Sequence, residues 1–230
     1  MADHALRRAV IFAGGDAPPS AVSTVLPRDA VVIGADSGVD VARGLGRSVD
    51  IAVGDFDSID PSTLDHTEAA GATILRHPRD KDATDLELAL DTAMTLGIDA
   101  VTVVGGHGGR VDHFIANCAL VASDRYAGLV VDAYFDIAHL QVVRSHVRLT
   151  GNAGDLTTLL AVGGPAEGVR TTGLRFPLDG ETLHPGSTRG VSNEMLGDEA
   201  TVTVAHGCVL AIQPDALAHG APAPDPRTGS

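Results

Sequence analysis

The chain has no tryptophan, only two tyrosines and five phenylalanines, and aromatic residues make up 3% of it. Any core must therefore be built from Val, Leu, Ile and Ala. Apolar residues fill 44% of the 230 positions, enough for one large or two modest domains. Cysteine is almost missing. Cys118 and Cys208 lie far apart and fit no metal-ligand spacing, so two buried thiols in a reducing compartment are expected. No apolar run approaches membrane-spanning length, and Ala9 to Ala13, ending at Gly14-Gly15, is too short for a secretory leader. A cytoplasmic location with no membrane partner follows as the expectation. Positive charge is also scarce. The formal net charge of −14 argues against a nucleic-acid surface, which needs a basic field. It leaves nucleotide binding open, because a metal ion mediates between carboxylates and phosphates. All but one of the 16 basic residues are arginine. The exception, Lys81, carries a compact ammonium that suits phosphate, although a single retained residue is also compatible with chance.

What is present begins with apolar runs of strand length at 9–13, 30–33, 51–53, 72–75 and 100–104. Continuous runs of this kind suit strands covered on both faces, as in parallel sheets. Helix-like segments at 38–45, 61–70, 84–96 and 112–123 alternate with them, which predicts a doubly wound, mostly parallel α/β domain. In such a fold the ligand crevice lies at the carboxyl ends of the strands. Four of those ends carry polar or glycine-rich turns: 14–16, 34–38, 54–57 and 105–112. Beyond about residue 128 the runs become short and β-branched (129–135, 139–143, 146–149, 156–162, 169–171, 200–204, 208–212), which predicts an antiparallel β-sandwich. The expected domains are 1–130 and 138–214, with a Pro- and Gly-containing disordered tail at 215–230.

Three constellations carry chemistry. In Gly54-Asp55-Phe56-Asp57-Ser58, residues two apart in an extended segment point the same way, so Asp55 and Asp57 are expected to face one spot with Phe56 turned inward. Two anions so close need a cation or a shared proton, and Mg2+ is the natural cation for clustered carboxylate oxygens. Helix capping would be the plain alternative, but Asp60-Pro61 already supplies a cap for the next helix. The second constellation is Asp80-Lys81-Asp82-Ala83-Thr84-Asp85-Leu86-Glu87. Thr84 and Glu87 fit a capping box, which places Asp85 in the first turn of a helix and Asp82 just before it. The third, Gly105-Gly106-His107-Gly108-Gly109-Arg110-Val111-Asp112-His113, follows a strand and opens a helix. Gly108 and Gly109 would let the backbone approach phosphate, and Arg110 offers a planar fork. It is neither a P-loop nor a dinucleotide fingerprint, and His107 and His113 are not assigned as metal ligands.

These three motifs, in this order, resemble the signature set of thiamine pyrophosphokinases. Asp36 in Gly34-Ala35-Asp36-Ser37-Gly38 matches that family's A-D-G-G turn, Thr172 to Leu178 resembles its G-L-x-W segment, and Val191-Ser192-Asn193-Glu194 its L-S-N-E segment. The match covers roughly residues 9–213. The resemblance implies transfer of the pyrophosphoryl group of ATP to the hydroxyl of thiamine, giving thiamine diphosphate and AMP. It implies an α/β domain followed by a β-sandwich, and a homodimer whose active site joins the α/β domain of one subunit to the sandwich of the other. By position, Asp55, Asp57 and Asp85 would hold Mg2+ and ATP phosphates, with Asp82 nearby and linked to the metal directly or through the groups that hold it. Lys81, Thr84, Gly108, Gly109 and Arg110 would face phosphate, and Asp36 and Asp112 would line the cleft. Ser192 and Asn193 would meet the aminopyrimidine of thiamine, and Phe176 would stack on a thiamine ring. Phe176 stands where the family usually has Trp, and Ser37 and Asp40 also depart from its pattern. Two other readings of the same residues are a metal-dependent nucleotide or pyrophosphate hydrolase and a nucleotide- or thiamine-binding sensor without turnover.

Overall fold

The computed structural model describes residues 6–80 and 82–218. The phosphate-facing role expected of Lys81, and the tail beyond residue 218, lie outside the described residues. The chain divides into two compact units. One comprises the residues up to Leu120 together with Gly128–Asp136, and the other comprises Val121–Ala127 and the residues from Ile137 onward.

The first unit is built on six parallel strands: β1 (Arg8–Ala13), β2 (Val31–Ala35), β3 (Ile51–Gly54), β4 (Thr73–Arg76), β5 (Ala100–Gly105) and β6 (Val130–Phe135). Their order across the sheet is β4-β3-β2-β1-β5-β6. From β1 the chain steps outward to β2, β3 and β4, then returns past β1 to β5, so the direction of winding reverses between β1 and β5. A crevice at the carboxyl ends of the strands is expected at such a switch. Val10, Ile11 and Phe12 of β1 have no exposure at all, as the two-sided apolar runs require. The run 129–135, which the sequence groups with the antiparallel half, instead forms β6 and pairs in parallel with β5 from Ala100↔Val130 to Val104↔Tyr134. Its β-branched composition suits either pairing, and only the partner strand decides between them.

Four helices connect these strands: α1 (Gly38–Gly44), α2 (Pro61–Ala69), α3 (Asp85–Thr95) and α4 (Val111–Val121). Their starts follow local chemistry. The Asp60 carboxylate accepts the Ser62 N–H at 2.8 Å and Pro61 fills the first helical position, so α2 starts there. The Thr84 hydroxyl accepts the Glu87 N–H at 3.2 Å, so α3 starts at Asp85. Helix α3 buries Leu86, Ala89, Leu90 and Ala93 and lies across β1, β2 and β3. That crossing carries its first residue toward the ends of β2 and β3.

The second unit is antiparallel throughout. One sheet has the order β12 (Asn193–Glu194), β9 (Leu156–Ala161), β14 (Val209–Gln213), β7 (Ala138–Val143). The other has β11 (Asp179–Leu183), β10 (Ala166–Thr172), β13 (Glu199–Thr203), β8 (His146–Thr150). Val143, Leu159, Val209 and Ala211 from the first sheet meet Leu149, Val169, Leu183 and Val202 from the second in one aliphatic core, which makes the unit a β-sandwich. Strands β11 and β12 have no apolar run and are not marked in the sequence. Leu217 is buried and donates its N–H to the Ile137 carbonyl at 3.0 Å.

Leu90 is fully buried under α3. Leu90→Ala is expected to cost about 2–5 kcal/mol in urea unfolding, and Leu88→Ala on the half-buried face less than half of that.

Candidate active site

The end of β3 does not continue as the extended segment expected from the sequence. Gly54 has φ 153° and Phe56 has φ 62°, so the chain turns through the left-handed region at a phenylalanine. That conformation costs a residue with a Cβ on the order of 1 kcal/mol. Burial of the Phe56 ring to 8% exposure offsets it. The turn, rather than strand alternation, brings the two carboxylates together: the Asp57 N–H donates to Asp55 Oδ1 at 3.2 Å. Asp36, at the end of β2, is also left-handed, with φ 48°. One carboxylate oxygen from each of Asp36, Asp55 and Asp57 lies within 4.8 Å of the others, close enough to share a divalent cation.

Gly54 makes this gathering possible. A Cβ there would stand 3.1 Å from Asp85 Oδ1 and 3.2 Å from Asp36 Cα. Asp85, in the first turn of α3, is thereby placed beside Asp36. The electrostatics agree with the geometry. Burial pushes the Asp36 carboxyl above its ordinary value, the Ser37 N–H holds it down, and the charges of Asp85, Asp55 and Asp57 push it up again. Asp36 Oδ1 is out of contact with solvent and has no hydrogen-bond partner among the described residues. Such an atom fits a site built for a cation. The group therefore includes Asp36, which the sequence assigned only to the cleft wall. Asp82 is exposed and is not part of the group.

Two arginines that the sequence reading did not single out reach this turn from the end of β4. Arg76, in register with Gly54, holds its guanidinium 5.4 Å from the centre of the Phe56 ring. Arg79 Nη2 lies 3.1 Å from Asp57 Oδ2. Basic residues flanking an acidic turn were the available signal, but their distance along the chain from Asp57 hid it.

The glycine-rich segment after β5 packs on the end of β1. The Asp16 N–H donates to the His107 carbonyl at 2.9 Å, and a Cβ on Gly108 would collide with the Asp16 carboxylate. Asn117 in α4 donates to the Gly106 carbonyl at 2.8 Å and fixes the loop from the other side. Gly108 and Gly109 are both left-handed, at φ 105° and 41°. Arg110 forks onto Asp112, with Nε 2.9 Å from Oδ1 and Nη2 2.6 Å from Oδ2. This pairing holds the Asp112 carboxyl well below the usual range and raises Arg110 further. Both are exposed.

In the second unit, Phe176 is 52% exposed. Buried Asn193 holds its backbone: Asn193 Oδ1 accepts the Phe176 N–H at 2.9 Å and Nδ2 donates to the Phe176 carbonyl at 2.7 Å. Ser192 is exposed and left-handed, φ 55°, with its N–H on Thr158 Oγ1 at 3.1 Å. Arg175, paired with Glu194 at 2.7 Å, lies 5.6 Å from the Phe176 ring centre.

Residues 22–130 match the family model of the catalytic domain of thiamin pyrophosphokinase, and residues 146–209 match that of its vitamin B1 binding domain. The chain belongs to the thiamine pyrophosphokinase family. Thiamine pyrophosphokinase of Bacillus subtilis is 28% identical over 184 residues, 79% of this chain and 86% of the relative. Thiamine pyrophosphokinase 1 of rice is 29% identical over 166 residues, and the match spans 61% of its length. The crystal structure of the Bacillus subtilis protein superposes with a TM-score of 0.78 at 25% identity, covering 90% of this chain and 98% of that one. The fold is thus that of the family: a mostly parallel α/β unit and an antiparallel β unit.

A carboxyl that is harder to ionise in the folded protein favours folding below its ordinary value of 3.8, and that contribution is lost as pH rises. At pH 7 the ionised Asp36 therefore works against the metal-free fold. Asp36→Asn is expected to raise the metal-free Tm in calorimetry at pH 7 while weakening Mn2+ binding in a direct titration.

Proposed function

We infer that this chain transfers the pyrophosphoryl group of ATP to the hydroxyl of thiamine, giving thiamine diphosphate and AMP. The observation that carries the reading is the gathering of Asp36, Asp55 and Asp57 beside Asp85, inside the unit that matches the family's catalytic domain. We propose Asp36, Asp55 and Asp57 as the holders of Mg2+, with Asp85 on the same ion or on its bound water. When bound, Mg2+ supplies neutralisation of the triphosphate charge.

The remaining work belongs to the chain's own groups. Positioning and charge neutralisation supply most of the catalysis in such a transfer. The thiamine hydroxyl oxygen forms a bond to the β-phosphorus, and the bond from that phosphorus to the α,β-bridging oxygen breaks, so AMP leaves. An aspartate carboxylate oxygen beside the hydroxyl takes its proton late in the transfer. Arg110 turns from Asp112 toward phosphate, and Gly108 and Gly109 present backbone N–H groups to it. Lys81, Thr84, Asp82 and Asp112 complete the nucleotide side of the proposal. Phe176 stacks on a thiamine ring, Ser192 contacts the aminopyrimidine, and Asn193 fixes the height of the phenyl ring through its two bonds to the Phe176 backbone.

We further propose a homodimer with the active site at the subunit interface. The exposed apolar side chains Val111, Phe114 and Ile115 on α4 support a covered face in the working assembly. Among the described residues no helix is long and apolar enough to cross a membrane, and Cys118 and Cys208 are unpaired thiols. A cytoplasmic location is part of the same reading.

Incubation with Mg2+, ATP and thiamine is expected to yield AMP and thiamine diphosphate one for one, identified by chromatography. ADP, or ATP loss at the same rate without thiamine, would contradict the reading. Asp57→Ala should lower kcat/KM on the order of a thousandfold with an unchanged circular dichroism spectrum. Phe176→Ala should raise the KM for thiamine about tenfold and leave that for ATP alone, and Phe176→Trp should lower it, because indole attracts a cationic ring more strongly than phenyl does.

A further inference from the structure

We propose that Arg79 is a counterion that changes partner: it neutralises Asp57 in the ligand-free protein and transfers to the ATP polyphosphate when the metal arrives. The proposal rests on the function inferred above and adds a residue to its nucleotide side.

The argument starts from the ion pair. Arg79 Nη2 stands 3.1 Å from Asp57 Oδ2, on one of the three carboxylates whose oxygens lie within 4.8 Å of one another. Arg79 is therefore at the edge of the cation site. Its side chain is 80% exposed and that of Asp57 41%. An ion pair so open to water is weak and readily surrendered. Asp57 would hold a divalent cation with the same carboxylate that pairs with Arg79, so the guanidinium and the cation would compete for one anion. Once displaced, the guanidinium remains tethered to the turn after β4. That turn is anchored by Arg76 in register with Gly54 and stacked on Phe56 at 5.4 Å.

The displaced cation then faces the most anionic group the reaction brings in. A guanidinium forks onto two phosphate oxygens, and this contact is stronger than an exposed pair with one carboxylate. The ligand class is a metal-bound nucleoside triphosphate, and the contact is to its phosphate oxygens. In a chain of net charge −14, a local cation that leaves one anion only for another also limits repulsion of the incoming nucleotide.

The test uses the full-length protein and two variants, Arg79→Ala and Arg79→Lys. Two binding titrations are read by calorimetry: Mn2+ alone, and the inert analogue α,β-methylene-ATP with Mg2+. In Arg79→Ala, Mn2+ alone should bind about two- to fivefold more tightly, because its competitor is gone. The analogue should bind about tenfold more weakly, and the KM for ATP should rise by the same factor with kcat within about twofold. Arg79→Lys should return the Mn2+ affinity to near that of the parent protein but recover only part of the nucleotide affinity, because a point charge lacks the fork. An unchanged Mn2+ affinity, or an unchanged analogue affinity, in Arg79→Ala overturns the proposal. If the parent protein makes no thiamine diphosphate and AMP, the inferred function falls instead, and the two titrations still decide the role of Arg79.

Discussion

Carboxylates repel, and this fold holds several of them together. Two charges 4.8 Å apart, the limit within which the Asp36, Asp55 and Asp57 oxygens lie, cost each other roughly 3 kcal/mol at an effective dielectric of 20 and below about 1 in water. A stable protein supports that cost only with structure behind each group. Asp36 and Phe56 adopt left-handed backbone, Gly54 leaves out a side chain, and α3 is capped so that its first residue enters the same space. The left-handed backbone is locally unfavourable, whereas the cap stabilises its helix. Together they make sense as the frame of a cation site, in which the repulsion is relieved by the ligand.

The two units place opposite demands on a limited supply of aromatics. The second unit's sandwich core is filled by aliphatic side chains such as Leu149 and Val209, with Met195 among them. Its Phe176, one of five phenylalanines in the chain, is instead left half exposed, with buried Asn193 committed to its backbone. Leaving an aromatic ring in water gives up burial energy, while the two bonds from Asn193 fix the backbone that carries it. In the first unit Phe56 does the reverse work: it is buried, and its insertion levers Asp55 and Asp57 into position.

Much of the fold was legible because its signals are local. Runs such as Ala9 to Ala13 and Ala100 to Val104 suit covered strands and form them, and Asp60-Pro61 and Thr84 with Glu87 mark helix starts that the hydrogen bonds reproduce. The run that forms β6 reads as antiparallel in sequence because valine-rich segments pair either way, and its direction depends on β5, thirty residues earlier. Strands β11 and β12 carry Gly, Glu and Asn and no apolar run, so nothing in them announces a strand.

The candidate site divides in the same manner. Residue order alone named Asp55, Asp57, Asp85 and the glycine-rich turn, because closely spaced acidic and glycine residues are chemically unusual wherever they fold. It could not show that Asp36 joins the cation group, that a left-handed Phe56 rather than strand pleating aligns two carboxylates, or that Arg79 and Arg76 sit on that turn. Those facts arise from parallel strands that bring distant turns to one edge of a sheet. Which side chains then meet is settled by register and by the path of α3, both long-range properties of the packed chain.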